Sequence, residues 1–385
     1  MIPYGRQSID LSDIDSVTET LSSTFLTQGS KVPEFEAAIK KSVNAQYAVA
    51  SSSATAALHL ACLAISLTSS DIGWTVPLTF AASANAMRYC GATVDFVDID
   101  LATGCISTDA LAEKLKIAHQ NNKLPKVLIV VHYSGISCDM QRIKALCEPY
   151  NIVIIEDASH AIGGNYQGNK IGCCQYSDMT IFSFHPVKII TSGEGGMITT
   201  NNKALADKLK LIGSHGITKD HQLMENKTAE PWYYEQQQLG FNYRMSDIHA
   251  ALGLSQLNKL EAFVEKRNKQ AQLYQQTFAE LPIELLQVPE DCYSPWHLFV
   301  IRLKKEASIT RLELYQALQS ANIGCQVHYI PVHTHPYYQS LGFNWGDFPN
   351  AEQFYQQCLS LPIFPDLAKQ PKVIENITSL LQTKG

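Results

Sequence analysis

KVLIVVHY (residues 126–133) and NIVIIEDASH (151–160) each run apolar without alternation and then turn abruptly polar. A strand with one wet face alternates, whereas an unbroken apolar run is covered on both faces, as the strands of a parallel sheet are. The helical pattern MQRIKALCEPY (140–150) lies between the two runs. Such a connection carries the chain back across a sheet, so the two strands are expected to be parallel.

The same alternation extends in both directions. YAVASSS (47–53) leads into ATAALHLACLAI (54–65) and VDFVDID (94–100) into TDALAEKLKIAHQ (108–120), while DMTIFSFH (178–185) and GMITT (196–200) supply further strands. This predicts an α/β fold, a large domain built on a mostly parallel central sheet. Beyond residue 200 the pattern turns helical. Residues 245–281 are expected to form one long helix opened by Ser246, with Ile248, Leu252, Phe263 and Val264 on its apolar side. A smaller C-terminal α+β domain should follow, with WHLFVIRL (296–303) and IGCQVHYIPV (323–332) as its strands. The expected division is a large domain over 1–260, its N-terminal segment packing on the small domain, and a small domain over 261–385.

Bulk properties exclude several function classes. The 385 residues carry a formal charge of -6 and no block of Lys or Arg, which argues against nucleic acid as a partner. The start MIPYGRQSIDLSDID (1–15) lacks the apolar core of a signal peptide, and the apolar run VLIVV falls far short of the roughly 18 residues of a membrane helix. A cytoplasmic protein away from membranes is expected. Ten cysteines are scattered without a CxxC pair, so reduced thiols are the reading rather than a disulfide scaffold. His328, His333 and His335 in HYIPVHTH have intervals that could suit zinc, but no acidic partner stands among them, and no metal is expected. A nicotinamide dehydrogenase would need GxGxxG after its first strand, and SGEGGM (192–197) has the wrong spacing.

In α/β sheets ligands gather beyond the carboxyl ends of the strands, where SSSAT, EDASH and SFHPVK fall. Lys188 is the lone Lys or Arg of SFHPVKIITSGEGGMIT (183–199). An amine drawn out of water there loses proton affinity and becomes a nucleophile able to form a Schiff base. Asp157 ends its strand where a carboxylate can hold the pyridine nitrogen of pyridoxal phosphate (PLP) protonated. Ser53, Ala54 and Thr55 lead from strand to helix and offer N–H groups at a positive helix end, a cradle for the cofactor phosphate. Phe80 could stack on the cofactor ring or be an ordinary core aromatic, and His160 and His185 could contact the ring or its phenolic oxygen.

PYGRQSI, FLTQG, SSATAALHLA, IEDASHAIG, SFHPVKIITSGEGG, LGFNYRMSDIHAALGLSQL and LSLPIFPDL, in that order, resemble the DegT/DnrJ/EryC1/StrS family of sugar aminotransferases, a branch of the fold-type I PLP enzymes. The resemblance spans nearly the whole chain. It implies PLP as cofactor, Lys188 as the Schiff-base lysine, Asp157 as partner of the pyridine nitrogen, Phe80 as the stacking ring, and Ser183 with Ala54 and Thr55 at the phosphate. Asn242 matches a residue that reaches the phosphate from the neighbouring subunit, which implies a homodimer with shared sites. Many members have Gly-Thr where this chain has Ala54-Thr55, a departure at the close backbone approach.

RQSIDLSDID, GSHGIT, EPWYYEQQQLGFNYRMSD and GCQVHYIPVHTHPYYQSLGF are similar to the pseudaminic acid branch. That implies amination at C4 of UDP-2-acetamido-2,6-dideoxy-β-L-arabino-hexos-4-ulose with L-glutamate as donor. Tyr4, Thr24, Phe25, Leu26, Thr27, Gln326, Val327, His328 and Tyr329 match positions that grip the nucleotide sugar, with Ser53, Ser183 and Asn242 also at the substrate. The competing expectations are another nucleotide-sugar aminotransferase, acting on a different 4-ketosugar or at C3, and a non-catalytic regulator of the same fold. Sugar dehydratases of the family replace the lysine by histidine, so Lys188 argues against that chemistry.

Overall fold

The doubly covered apolar strands assemble into one seven-stranded sheet in the computed structural model, which describes residues 1–227 and 230–382. The spatial order is Tyr47–Ser51, Gly196–Thr200, Met179–Ser183, Val153–Asp157, Val127–Val131, Ile72–Thr75 and Thr93–Phe96. Gly196–Thr200 runs antiparallel to both its neighbours, and every other adjacent pair is parallel. All residues of Val127–Val131 and Met179–Ser183 are buried, as strands covered by helices on both faces must be. The α/β architecture with a mostly parallel sheet is the one expected. Ile72–Thr75 is a strand that the apolar pattern did not single out, being only four residues long with a glycine inside.

Register places the chemistry. Val131 pairs with Asp157, which pairs with Ile181, so two parallel strands end level and the third runs on two residues further to Ser183. The antiparallel strand brings Gly196 to that same edge, opposite Ser51 and Ser183. Helix Ala54–Ala64 begins there, two residues after its strand, with the Ser53 hydroxyl accepting from the Ala56 N–H at 3.1 Å as N-cap.

The single long helix expected from 245 is two. Ser246 caps Asp247–Leu257, the chain breaks at Asn258 and Lys259, and a second helix runs over Leu260–Phe278. The break has a use: Lys259 leaves the helix line and its ammonium pairs with Asp10 at 2.9 Å and the buried Asp13 at 2.5 Å, tying the N-terminal helix Leu11–Leu21 to the large unit.

The second helix serves two cores. Leu260, Phe263 and Val264 join a cluster under the large sheet, whereas Ala271, Tyr274 and Phe278 join the C-terminal core, which also takes Ile2 from the chain start. We propose the division into 1–260 and 261–385, with the first turn of the shared helix, through Phe263 and Val264, still packing on the large unit. The C-terminal core covers a three-stranded antiparallel sheet of Ile283–Leu285, Phe299–Leu303 and Cys358–Leu361. WHLFVIRL thus forms its strand, but IGCQVHYIPV does not. Gln326 makes one bridge to Ser360 and Pro331 has no N–H to continue a ladder, so the chain turns inward at His328 and Tyr329.

Candidate active site

The carboxyl ends of the parallel strands open on a cavity of about 540 Å³. Lys188 enters it from the turn after Met179–Ser183, where the Lys188 N–H donates to the His185 carbonyl at 2.9 Å. Thr191 and Ser192 fold back onto the Phe184 carbonyl and close the loop beneath it. Part of the lysine surface faces the cavity, yet enclosure by protein lowers its pKa to about 8, against the opposing pull of Asp157.

Asp157 is 6% exposed and hydrogen-bonded through both carboxylate oxygens. Its Oδ2 accepts from the Ser83 hydroxyl at 2.7 Å, and its Oδ1 accepts from the Ser159 hydroxyl at 2.6 Å and the Ser159 N–H at 3.1 Å. Ser83 is itself held by the Thr79 hydroxyl at 2.9 Å. The carboxylate therefore has a fixed rotation at the cavity wall. Opposite, the start of helix Ala54–Ala64 presents Ala54 and Thr55 to the cavity beside Ser52, whose N–H donates to the Tyr243 carbonyl at 2.7 Å. Gly196 lets this turn approach the sheet, since a Cβ at 196 would lie 2.4 Å from the Ser53 carbonyl oxygen and 2.8 Å from the Ala54 nitrogen.

A layer of imidazoles and phenols closes the remaining side. Nδ1 of His160 accepts from the Ser134 N–H at 3.3 Å and Nε2 meets the Tyr329 hydroxyl at 3.1 Å. His297 packs on His160 with ring centroids 4.4 Å apart, and His328 reaches the Ser360 hydroxyl at 2.8 Å through Nδ1. Burial, with Lys188 adding repulsion, lowers the pKa of His328 to about 4 and pushes His160 and His297 well below the ordinary histidine value. These rings are neutral, so near Asp157 the cationic role falls to Lys188.

Of the residues singled out from the sequence, Tyr4, Ser53, Ala54, Thr55, Phe80, Asp157, His160, Ser183, His185, Lys188, His328 and Tyr329 line this one cavity. Phe80 is 63% exposed on the cavity rim, so it is no core aromatic. Thr24, Phe25, Leu26, Thr27, Gln326, Val327 and Asn242 do not line it. Asn242 and residues 24–27 lie exposed on the surface of this single chain. His333 turns away from His328 onto Glu352 at 3.0 Å, and among the described residues no group of three or more His, Cys, Asp or Glu is arranged to hold a metal. Ser52, Thr79, Ser83, Ser159, Glu194 and His297 were missed. Ser159 sits inside the EDASH motif and could have been read, whereas Ser83 and His297 reach the site only through the fold.

This donor set fits PLP: a buried carboxylate for a protonated ring nitrogen, a depressed-pKa amine for the aldehyde, and open N–H groups at a helix start for the phosphate. The sequence pattern of the DegT/DnrJ/EryC1/StrS aminotransferase family matches residues 7–378. The chain is 40% identical over 370 residues, 95% of its length and 93% of the relative's, to the UDP-4-amino-4,6-dideoxy-N-acetyl-beta-L-altrosamine transaminase of Campylobacter jejuni. It is 38% identical over 387 residues, covering 99% of this chain and 97% of the other, to the spore coat polysaccharide biosynthesis protein SpsC of Bacillus subtilis. Among solved structures, Helicobacter pylori PseC, an aminotransferase of pseudaminic acid biosynthesis, superposes with a TM-score of 0.90 at 31% identity over 99% of both chains. The sugar aminotransferase Spr1654 of Streptococcus pneumoniae, of the same fold, has been solved in PLP and PMP forms. The chain belongs to the DegT/DnrJ/EryC1/StrS aminotransferase family and is a PLP-dependent sugar aminotransferase.

Proposed function

We propose that this enzyme transfers the amino group of L-glutamate to C4 of UDP-2-acetamido-2,6-dideoxy-β-L-arabino-hexos-4-ulose, giving UDP-4-amino-4,6-dideoxy-N-acetyl-β-L-altrosamine and 2-oxoglutarate in pseudaminic acid biosynthesis. The observation that carries the reading is the pairing, in one cavity, of the Lys188 amine with the Asp157 carboxylate beside a helix start. The choice of sugar is supported by the likeness to the Campylobacter transaminase and to PseC.

Bound PLP supplies an aldehyde for covalent amine chemistry and a ring that stores electrons released at carbon. Lys188 is the residue that would hold the aldehyde and, once its amine is free, would accept and return a proton at Nζ. A pKa of about 8 suits both tasks, because near neutrality the amine both accepts and releases a proton readily. Asp157, its rotation fixed by Ser83 and Ser159, would accept a hydrogen bond from the protonated ring nitrogen. Ser53, Ala54, Thr55 and Ser183, which line the cavity at the helix start, would hold the phosphate, Phe80 would cover the ring, and His160 and His185 would stand at its edge.

Tyr4 and the run Gln326, Val327, His328, Tyr329 grip the nucleotide sugar together with Thr24, Phe25, Leu26 and Thr27. The exposed position of residues 24–27 and of Asn242 in one chain supports a homodimer in which the partner completes each site. We assign the enzyme to the cytoplasm; no helix among the described residues is long and apolar enough to cross a membrane.

The test supplies the purified enzyme with glutamate and a panel of UDP- and dTDP-ketosugars and identifies both products. Amination of the UDP-4-ketosugar at C4 supports the reading; preference for a 3-ketosugar or a dTDP-sugar replaces it with another member's reaction.

A further inference from the structure

Tyr329 ends a hydrogen-bonded chain whose direction is set at its far end. The Ser134 N–H donates to Nδ1 of His160 at 3.3 Å, so that nitrogen carries a lone pair. Burial, and then the nearby Lys188, hold the His160 ring neutral with a single proton. That proton sits on Nε2, which meets the Tyr329 hydroxyl at 3.1 Å. The phenol oxygen is therefore the acceptor in this pair, and its own hydrogen points elsewhere. Among the described residues the hydroxyl has no other side-chain hydrogen-bond partner, and Tyr329 lines the cavity it shares with Lys188. Burial raises the phenol's pKa, so the proton stays until a more basic substrate oxygen takes it.

We propose that Tyr329 is a catalytic residue that gives its proton to the oxygen the ketosugar loses, and that His160 is the positioning residue that aims it. The inference rests on the sugar-aminating reading above and assigns a chemical step to a residue placed there only as part of the grip. When an amine replaces a carbonyl oxygen, the nitrogen bonds to carbon, the carbon–oxygen bond breaks, and the oxygen leaves as water. Both hydrogens of that water come from the amine. Tyr329 protonates the departing oxygen and recovers a proton from the nitrogen as the carbon–nitrogen bond becomes double. No oxidant, reductant or further reactant enters.

A positioned acid of this kind contributes about 10²- to 10⁴-fold to a rate. In the holoenzyme, Tyr329→Phe should lower kcat at least about 100-fold on whichever ketosugar the wild type accepts, with KM within about threefold. His160→Gln, whose amide can accept from Ser134 and donate to Tyr329, should keep kcat within about tenfold of wild type; His160→Leu should fall as far as Tyr329→Phe. In the cofactor-free protein, the ¹⁵N shifts of His160 should be those of a neutral ring protonated at Nε2. A kcat for Tyr329→Phe within threefold of wild type, a loss confined to KM, or a proton on Nδ1 overturns the proposal. Should the wild type ignore the UDP-4-ketosugar and aminate another, the substrate reading fails while the same variants and the ¹⁵N measurement still decide this one.

Discussion

Ser83 donates its hydroxyl hydrogen to Oδ2 of Asp157 at 2.7 Å, from helix Ala82–Tyr89 to the end of strand Val153–Asp157. A buried hydrogen bond to a charged group is worth about 1.5–3 kcal/mol, here spent on fixing the carboxylate's direction. Ser83→Ala should therefore weaken PLP retention about tenfold, measured by titrating the cofactor-free protein and following absorbance. Asp157→Asn, which loses the charge as well, should lower turnover more than about 100-fold. Equal affinity in wild type and Ser83→Ala would remove the anchoring role.

Lys188 carries the pH dependence. Its pKa of about 8 means that the amine lacks a lone pair below that pH and is free above it. Capture of PLP by the cofactor-free enzyme should rise with pH through a midpoint near 8; a midpoint near the ordinary lysine value of about 10.4 contradicts the burial argument. Between about 8 and the unfolded value the unfolded chain holds a proton that the folded one has released, so this residue's contribution to stability increases with pH across that window. Lys188→Ala should show no turnover and, after borohydride reduction, no cofactor-tagged peptide.

Gly196 is required by space. A methyl group there would sit 2.4 Å from the Ser53 oxygen and 2.8 Å from the Ala54 nitrogen, well inside van der Waals contact, and both atoms belong to backbone that cannot swing away. Gly196→Ala should destabilise the protein by about 1–3 kcal/mol and weaken PLP binding more than tenfold by shifting the helix start. Thermal unfolding and cofactor titration of the same sample check both; normal PLP affinity would mean that the helix start does not hold the phosphate.

Asp247 ties two distant motifs together. Its carboxylate accepts from the Gly29 N–H at 2.6 Å and the Val32 N–H at 3.2 Å, while its own N–H donates to the Leu26 carbonyl at 3.0 Å. Asp247→Ala leaves two backbone donors unpaired, a loss of about 2 kcal/mol. Because it loosens residues 24–29, KM for the nucleotide sugar should rise about tenfold with the cofactor spectrum unchanged. A spectral change without a KM change would move the role of this segment to the cofactor.

Asn242 tests the assembly. It is exposed and does not line the cavity of its own chain, so Asn242→Ala should weaken cofactor retention only through a partner subunit. Sedimentation of wild type at assay concentration should show a dimer. A fully active monomer excludes shared sites.

The pattern of hydrophobicity carried much of the fold. Unbroken apolar runs mark strands covered on both faces, and the helices between them leave little choice but a parallel sheet. Lys188, Asp157 and the SSSAT turn were legible because each directly ends or follows such a run, where the sheet edge puts them together. The helix expected as one from residue 245 failed at Asn258 and Lys259, since helical periodicity does not register a lysine pulled off line by Asp10 and Asp13 from the other end of the chain. IGCQVHYIPV failed as a strand because it pairs with Cys358–Leu361 only at Gln326, and Pro331 lacks the N–H that would extend the ladder.

Local sequence thus determined the sheet, the lysine, the carboxylate and the phosphate-facing turn, since each depends on residues adjacent in the chain. Tertiary structure alone decided which hydroxyl steers Asp157, which ring nitrogen of His160 bears its proton, and that Tyr329 faces the same cavity. Those relations join residues far apart in sequence, and hydrogen-bond direction exists only once three-dimensional packing has brought donor and acceptor within reach.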